Sequence, residues 1–176
     1  MPYRLLLAAM AGLLCLAATT ADARPVPRDA RAFAQRLVDR LNQAPVNDLG
    51  VGVPHTTEWY DAGWLRLEDE TDRLATARDV TSPLEATDPL CDCEHHGFRY
   101  AVGAMSLRRD GVVVLQLRSF NGSDWTSHPV WLRRVAAQWR VWSVITEGSD
   151  WRSFLTQYVA CMHAARTHAA AERCDT

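Results

Sequence analysis

Beyond residue 28 the apolar positions change period twice, which divides the chain into helices, then strands, then a last helix. Ala30, Phe33, Ala34, Leu37, Val38 and Leu41 recur along one helical face, with Asp29 placed as an N-cap and Pro45 beyond the end. Tyr60, Trp64, Leu67, Thr71 and Leu74 form a second stripe. Its cap is expected at Thr56 or Thr57, and its solvated side at Glu68, Asp69, Glu70 and Asp72. Between the two helices, 46–54 holds Asn47, Asp48, Gly50 and Gly52 and reads as a loop. Residues 76–97 keep no period, and Pro83 and Asp88-Pro89 predict irregular backbone there. A loop of that length in a compact domain is either functional or stapled.

Period two then takes over. Strands rich in Val, Leu and Trp are predicted over 98–108, 112–120, 126–135 and 138–146. Asp110-Gly111, residues 121–124 and Ala136-Ala137 join them closely, so they form an antiparallel meander. In the last strand Trp139, Val141, Ser143 and Ile145 alternate with Arg140, Trp142 and Val144, so both faces of the sheet are expected to be apolar and covered. Ser149 or Asp150 caps a closing helix with Trp151, Phe154, Leu155, Tyr158, Val159 and Met162 on one face. Helices followed by a meander and a helix make an α+β domain.

The N-terminus changes the picture of where the domain works. Arg4, an apolar run over 5–18 and Ala21-Asp22-Ala23 match a cleavable secretory signal, which predicts cleavage near Ala23 and one mature domain over 24–176. The run is shorter than the about 20 residues that span a bilayer, so no membrane insertion is expected after cleavage. Leu14 stands before Cys15 where a lipid anchor wants a small residue. The expected address is a bacterial periplasm or the medium.

Net charge is −2, and all 19 basic residues are Arg, interspersed among Asp and Glu along the chain. That balance predicts no nucleic-acid partner. Cys91, Cys93, Cys161 and Cys174 follow the signal, an even count that reads as a disulfide framework in an oxidising compartment. Three pairings exist. Cys161 with Cys174 and Cys91 with Cys93 is favoured, with a loop-to-helix cross-link as the rival because a C-x-C ring is tight. Cys91, Cys93, His95 and His96 are also four soft ligands within six residues. Structural metal sites bring ligand pairs from separate segments, so no metal and no cofactor is expected.

The helix pair, the loop Asp88-Pro89-Leu90-Cys91-Asp92-Cys93-Glu94, the strand Gln138-Trp139-Arg140-Val141-Trp142-Ser143-Val144 and the closing helix resemble an exported bacterial domain-of-unknown-function family. That family belongs to the nuclear-transport-factor-2-like superfamily, and the resemblance covers about residues 29 to 160. It implies a cone-like α+β fold in which the helices fill the bend of a strongly curved antiparallel sheet. It does not imply an activity, since this superfold hosts isomerases, dehydratases and non-catalytic binding domains. Catalytic members place an acid or base in the cone, which here would draw on Tyr60, Asp61, Tyr100 or His128.

Each of those four has a plainer reading. Tyr60 and Tyr100 lie on apolar faces and fill core, Asp61 meets water beside such a face, and His128 before Pro129 belongs to an edge or loop. Trp125 follows a polar turn and is the best exposed contact residue, with Tyr60 and Tyr100 as further contact candidates. The expected function is non-catalytic binding of a protein or a small apolar ligand, immunity-type shielding being one version. The alternative is an isomerase or dehydratase with an acid or base in the cone.

Overall fold

In the computed structural model, residues 24–43, 53–85, 89–90, 99–146 and 148–175 are described. Two N-terminal helices, α1 (Arg28–Gln43) and α2 (Ala62–Arg78), precede strands β1 (Arg99–Leu107), β2 (Val113–Phe120), β3 (Trp125–Val135), β4 (Gln138–Thr146) and β5 (Ser149–Asp150). Helix α3 (Trp151–Ala164), a short α4 (His168–Ala171) and a 3-10 turn (Glu172–Asp175) follow. The strands pair antiparallel in the order β1-β2-β3-β4-β5, so the α+β meander read from the sequence is present.

Helix α1 buries Ala30, Phe33, Ala34, Leu37, Val38 and Leu41. It lies on β1 and β4, over Val113, Leu115, Leu117, Val130, Leu132 and Val141. Asn42 at its end clamps the outer edge of β1. Its Nδ2 donates to Tyr100 O at 3.0 Å and its Oδ1 accepts from Tyr100 N at 2.8 Å, so a side chain supplies the bonds a further strand would make.

The sheet is not strongly curled, contrary to the cone that the resemblance implied. The physical reason is the placing of α2. It makes its main contact with α3 rather than joining α1 in the bend, so the inner face has no helix pair to wrap. A second apolar cluster forms there from Leu74, Tyr158, Met162, Ala165 and Ala171, with Cys174 bonded to Cys161. The pairing of the last two cysteines is therefore as expected; Cys91 and Cys93, with His95 and His96, lie outside the described residues.

Three local expectations are corrected. Helix α2 begins at Ala62, not near Thr56, because the Asp61 carboxylate caps it. Residues 56–60 form a turn instead, and Trp59 O and Asp61 N bond Val141 N and O at 2.8 and 2.9 Å, placing this segment on the free edge of β4. In β4 the register shifts between Trp131 and Leu132 of its partner strand, with Trp142 as the extra residue. The bulge returns Val144 to the inner face beside Val130, so the simple alternation expected for this strand fails. Finally, no second apolar layer is needed outside. The outer face of the four long strands is roofed by its own arginines.

Candidate functional site

Paired positions on an antiparallel ladder share a face, so the β2–β3 register collects Gln116 with Pro129, Val114 with Trp131, Arg118 with Ser127 and Phe120 with Trp125 on the outer side. Among the described residues Trp125 is the most exposed large apolar one, at 45%. Arginine side chains lie over the indoles of this face. The Arg118 guanidinium sits 4.6 Å from the Trp125 ring centre, Arg108 4.7 Å from Trp131, and Arg133 4.4 Å from Trp142. Stacking of this kind is geometrically specific to Arg, and each pair contributes about 0.5–1 kcal/mol at an exposed site.

The charge on this face has one sign. Arg99, Arg118, Arg133 and Arg140 belong to it, and strands β1 to β4 hold no Asp or Glu at all; Arg134 lies on the opposite face, 3.5 Å from Asp29 of α1. The carboxylates sit on the helices and connections, at Asp29, Asp39, Glu58, Asp69, Glu70 and Asp72 among others. Charges interspersed along the chain are thus segregated in space. Arg108 has a carboxylate beside it, Asp110 at 3.2 Å. Among the described residues no carboxylate pairs with Arg118 or Arg133.

A second cluster lies at the start of α2. Glu68, only 6% exposed, accepts from Trp64 Nε1 at 2.5 Å and lies 3.0 Å from His55 Nδ1. The His55 ring is 5.0 Å from that of Tyr60, which in turn stacks on Trp64. Glu68 therefore does not belong to the solvated side of the helix. Its burial is tolerated because the indole N–H and the imidazole replace water. Asp61, expected to meet water, is buried too and binds Arg152 Nη2 at 2.9 Å.

Of the other expected residues, Tyr60 and Tyr100 are members of one buried core cluster. Tyr60 and Tyr100 are buried, at 2% and 4% exposure. His128 is a buried strand residue rather than an edge one, and its Nε2 lies 2.9 Å from Leu90 O, pinning the 76–97 stretch to the sheet. A cleft of about 350 Å³ opens where α1 meets the β3–β4 turn, lined by Asp29, Phe33, Arg36, Glu58, Trp139 and Arg140 among others. Among the described residues no three metal-ligating side chains come together. No helix among them is long and apolar enough to cross a membrane.

Sequence reasoning missed the outer face and the Glu68 cluster for different reasons. The first had a signal, since counting charge strand by strand shows arginines without carboxylates. The second had none, because Leu67 and Glu68 are adjacent on one helix and polarity favours burying the leucine. No family model, curated protein or solved structure matches the chain.

Proposed function

We propose that this chain is an exported, non-catalytic protein-interaction domain of the bacterial periplasm or medium that engages its partner through the outer face of the β1–β4 sheet. One observation carries the reading. Exposed and half-buried tryptophans stand among arginines on a face whose strands hold no carboxylate, Asp110 beside Arg108 lying in a turn at its rim, and Trp and Arg are the residue types that dominate binding hot spots. A face that only needed solvating would mix both signs of charge. The signal-like residues 1–23 support the address, and shielding an envelope from a secreted toxin is one role such a domain would fill.

Kinship with the nuclear-transport-factor-2-like superfamily is part of the same proposal. The order helix, helix, meander, helix supports it, while the weak curl of the sheet departs from a cone. A second reading, acid–base catalysis on a small molecule, has one observation in its favour: an imidazole oriented by a buried carboxylate at His55 and Glu68. The interior between α1 and the sheet is filled by Phe33, Leu37, Leu41, Leu115 and Leu132, which favours binding on the surface instead.

A photo-crosslinking amino acid placed in living producer cells tests the reading. At Ser127, on the outer face, it should yield an adduct of defined mass. At Asp69, on the helical side, it should yield none. Adducts at Asp69 alone, or at neither position, would reject this surface, and loss of the Ser127 adduct in His55→Ala would favour the catalytic reading.

A further inference from the structure

We infer that the outer sheet face receives an extended acidic polypeptide segment, whose Asp or Glu carboxylates lie coplanar with the Arg118 and Arg133 guanidinium groups over Trp125 and Trp142. This rests on the proposed interaction function and names the partner's chemistry.

Charge complementarity is the first argument. Arg118 and Arg133 are exposed and, among the described residues, have no carboxylate partner. Arg152 is different: although it lies 3.6 Å from the Trp142 centre, it is committed to Asp61 and to Trp142 O. It holds the platform and does not reach a partner.

Stacking then selects among anions. At 4.4–4.6 Å from the ring centre the Arg133 and Arg118 guanidinium groups are close enough to lie flat on the indole, and a flat guanidinium offers its N–H fork sideways. A carboxylate is planar, so a bidentate pair lies flat over the same surface. A tetrahedral phosphate or sulfate in that position turns an oxygen toward the ring, whose face is negative. The same stacking argues against single-stranded nucleic acid, because bases bind by stacking on open aromatic faces and these are occupied by arginine. A bilayer is disfavoured as well: of the large hydrophobics of this face only Trp125 and, at the far end of β3, Val135 are exposed, and insertion needs a continuous protruding apolar surface.

Spacing selects an extended chain. Trp125 and Trp131 lie six residues apart on β3, about 20 Å at the rise of a strand, and Arg133 lies about 7 Å further on. A partner in extended conformation spans that length with six to eight residues, which places its carboxylates one strand-length apart.

The test uses the mature chain and defined polyanions: poly-L-glutamate, an oligothymidylate, heparin and anionic phosphatidylglycerol vesicles. Poly-L-glutamate should bind saturably at low salt and weaken at high salt. Arg118→Gln with Arg133→Gln should weaken it about tenfold or more. Arg31→Gln on α1 should leave it unchanged, and Arg118→Lys with Arg133→Lys, which keeps the charge but not the fork, should not restore it. Circular dichroism of each variant separates misfolding from lost contact. Tighter binding to oligothymidylate, heparin or vesicles would overturn the inference, as would no binding of poly-L-glutamate or full restoration by lysine. If poly-L-glutamate fails while the Ser127 adduct forms, the acidic partner is wrong and the interaction surface stands.

Discussion

Asp61 and Arg152, 91 residues apart in the chain, meet at 2.9 Å, and the same Asp61 oxygen accepts from the Gly63 and Trp64 amides at 2.9 and 3.2 Å. One carboxylate thereby starts α2 and ties it to the first turn of α3, while Arg152 Nη1 reaches Trp142 O at 2.9 Å and fixes the β4 bulge. The pair is mostly shielded, with side chains 11% and 18% exposed, so removing one partner strands the other's charge. Asp61→Ala should cost about 3 kcal/mol, combining a lost cap with an unpaired guanidinium. Arg152→Met should cost less because the cap survives. A double-mutant cycle by urea denaturation checks this, and additive single effects would contradict it.

Glu68 gives a second prediction. Trp64→Phe removes the indole donor from a buried carboxylate and should destabilise by about 2 kcal/mol, more than the small change in ring size explains. Glu68→Gln keeps an acceptor for Trp64 Nε1 and should stay within about 1 kcal/mol of the parent. Glu68→Leu should be worse than Gln despite its better helix packing. The opposite order would mean that the indole bond contributes nothing.

How much of this was readable beforehand depends on the kind of signal. The stripe Ala30 to Leu41 and the four strands were legible because one hydrophobic period held over each element and one face met one core. The start of α2 was not, since Thr56, Thr57 and Asp61 are all good caps and only the β4 edge, which claims Trp59 and Asp61 backbone, decides among them. The Trp142 bulge breaks period two without leaving a mark on composition. The outer face was legible only as a charge pattern: the proposed binding depends on Arg118 meeting Trp125, and a contact across strands has no local signature.

The β3–β4 turn carries strain that can be relieved. Ala136 and Ala137 have φ of 46° and 66°, the left-handed region at both central positions of a two-residue hairpin. Ala136→Asn with Ala137→Gly suits that geometry and should stabilise by about 1–2 kcal/mol. The melting temperature should rise by a few degrees. A fall would mean that the alanine methyls make packing contacts worth more than the strain.

Glu70 supplies a pH dependence. The bidentate Arg73 guanidinium, with bonds of 2.8 and 2.6 Å, holds its carboxyl below the ordinary value of 4.5, and His163 at 3.1 Å adds to this. A depressed folded-state pKa means the contribution is present above pH 4.5 and is lost as pH falls through the lowered value. Because the group is at the surface, the effect is read best as a titration. Carboxyl carbon shifts should place Glu70 below the ordinary value, and Arg73→Gln should move it up further than His163→Ala does. An unchanged midpoint in Arg73→Gln would show that the ion pair does not persist in solution.

The Cys161–Cys174 bond closes a loop with a sequence separation of 13, which in the chain-entropy account stabilises a folded domain by about 3 kcal/mol. The residues it holds belong to the α2–α3 cluster, separate from the core under α1, so the penalty should fall unevenly. Without the bond, α4 and the following 3-10 turn keep only small apolar contacts such as Ala165 and Ala171, too little surface to resist local opening. Cys161→Ala with Cys174→Ala should therefore speed amide exchange across α4 and the end of α3 by orders of magnitude while α1 and β2 keep their protection. Reduction of the parent with dithiothreitol should reproduce the pattern. Uniform acceleration in every element would instead mean that the two clusters unfold as one unit, and the loss of global stability would then approach the full loop-closure value.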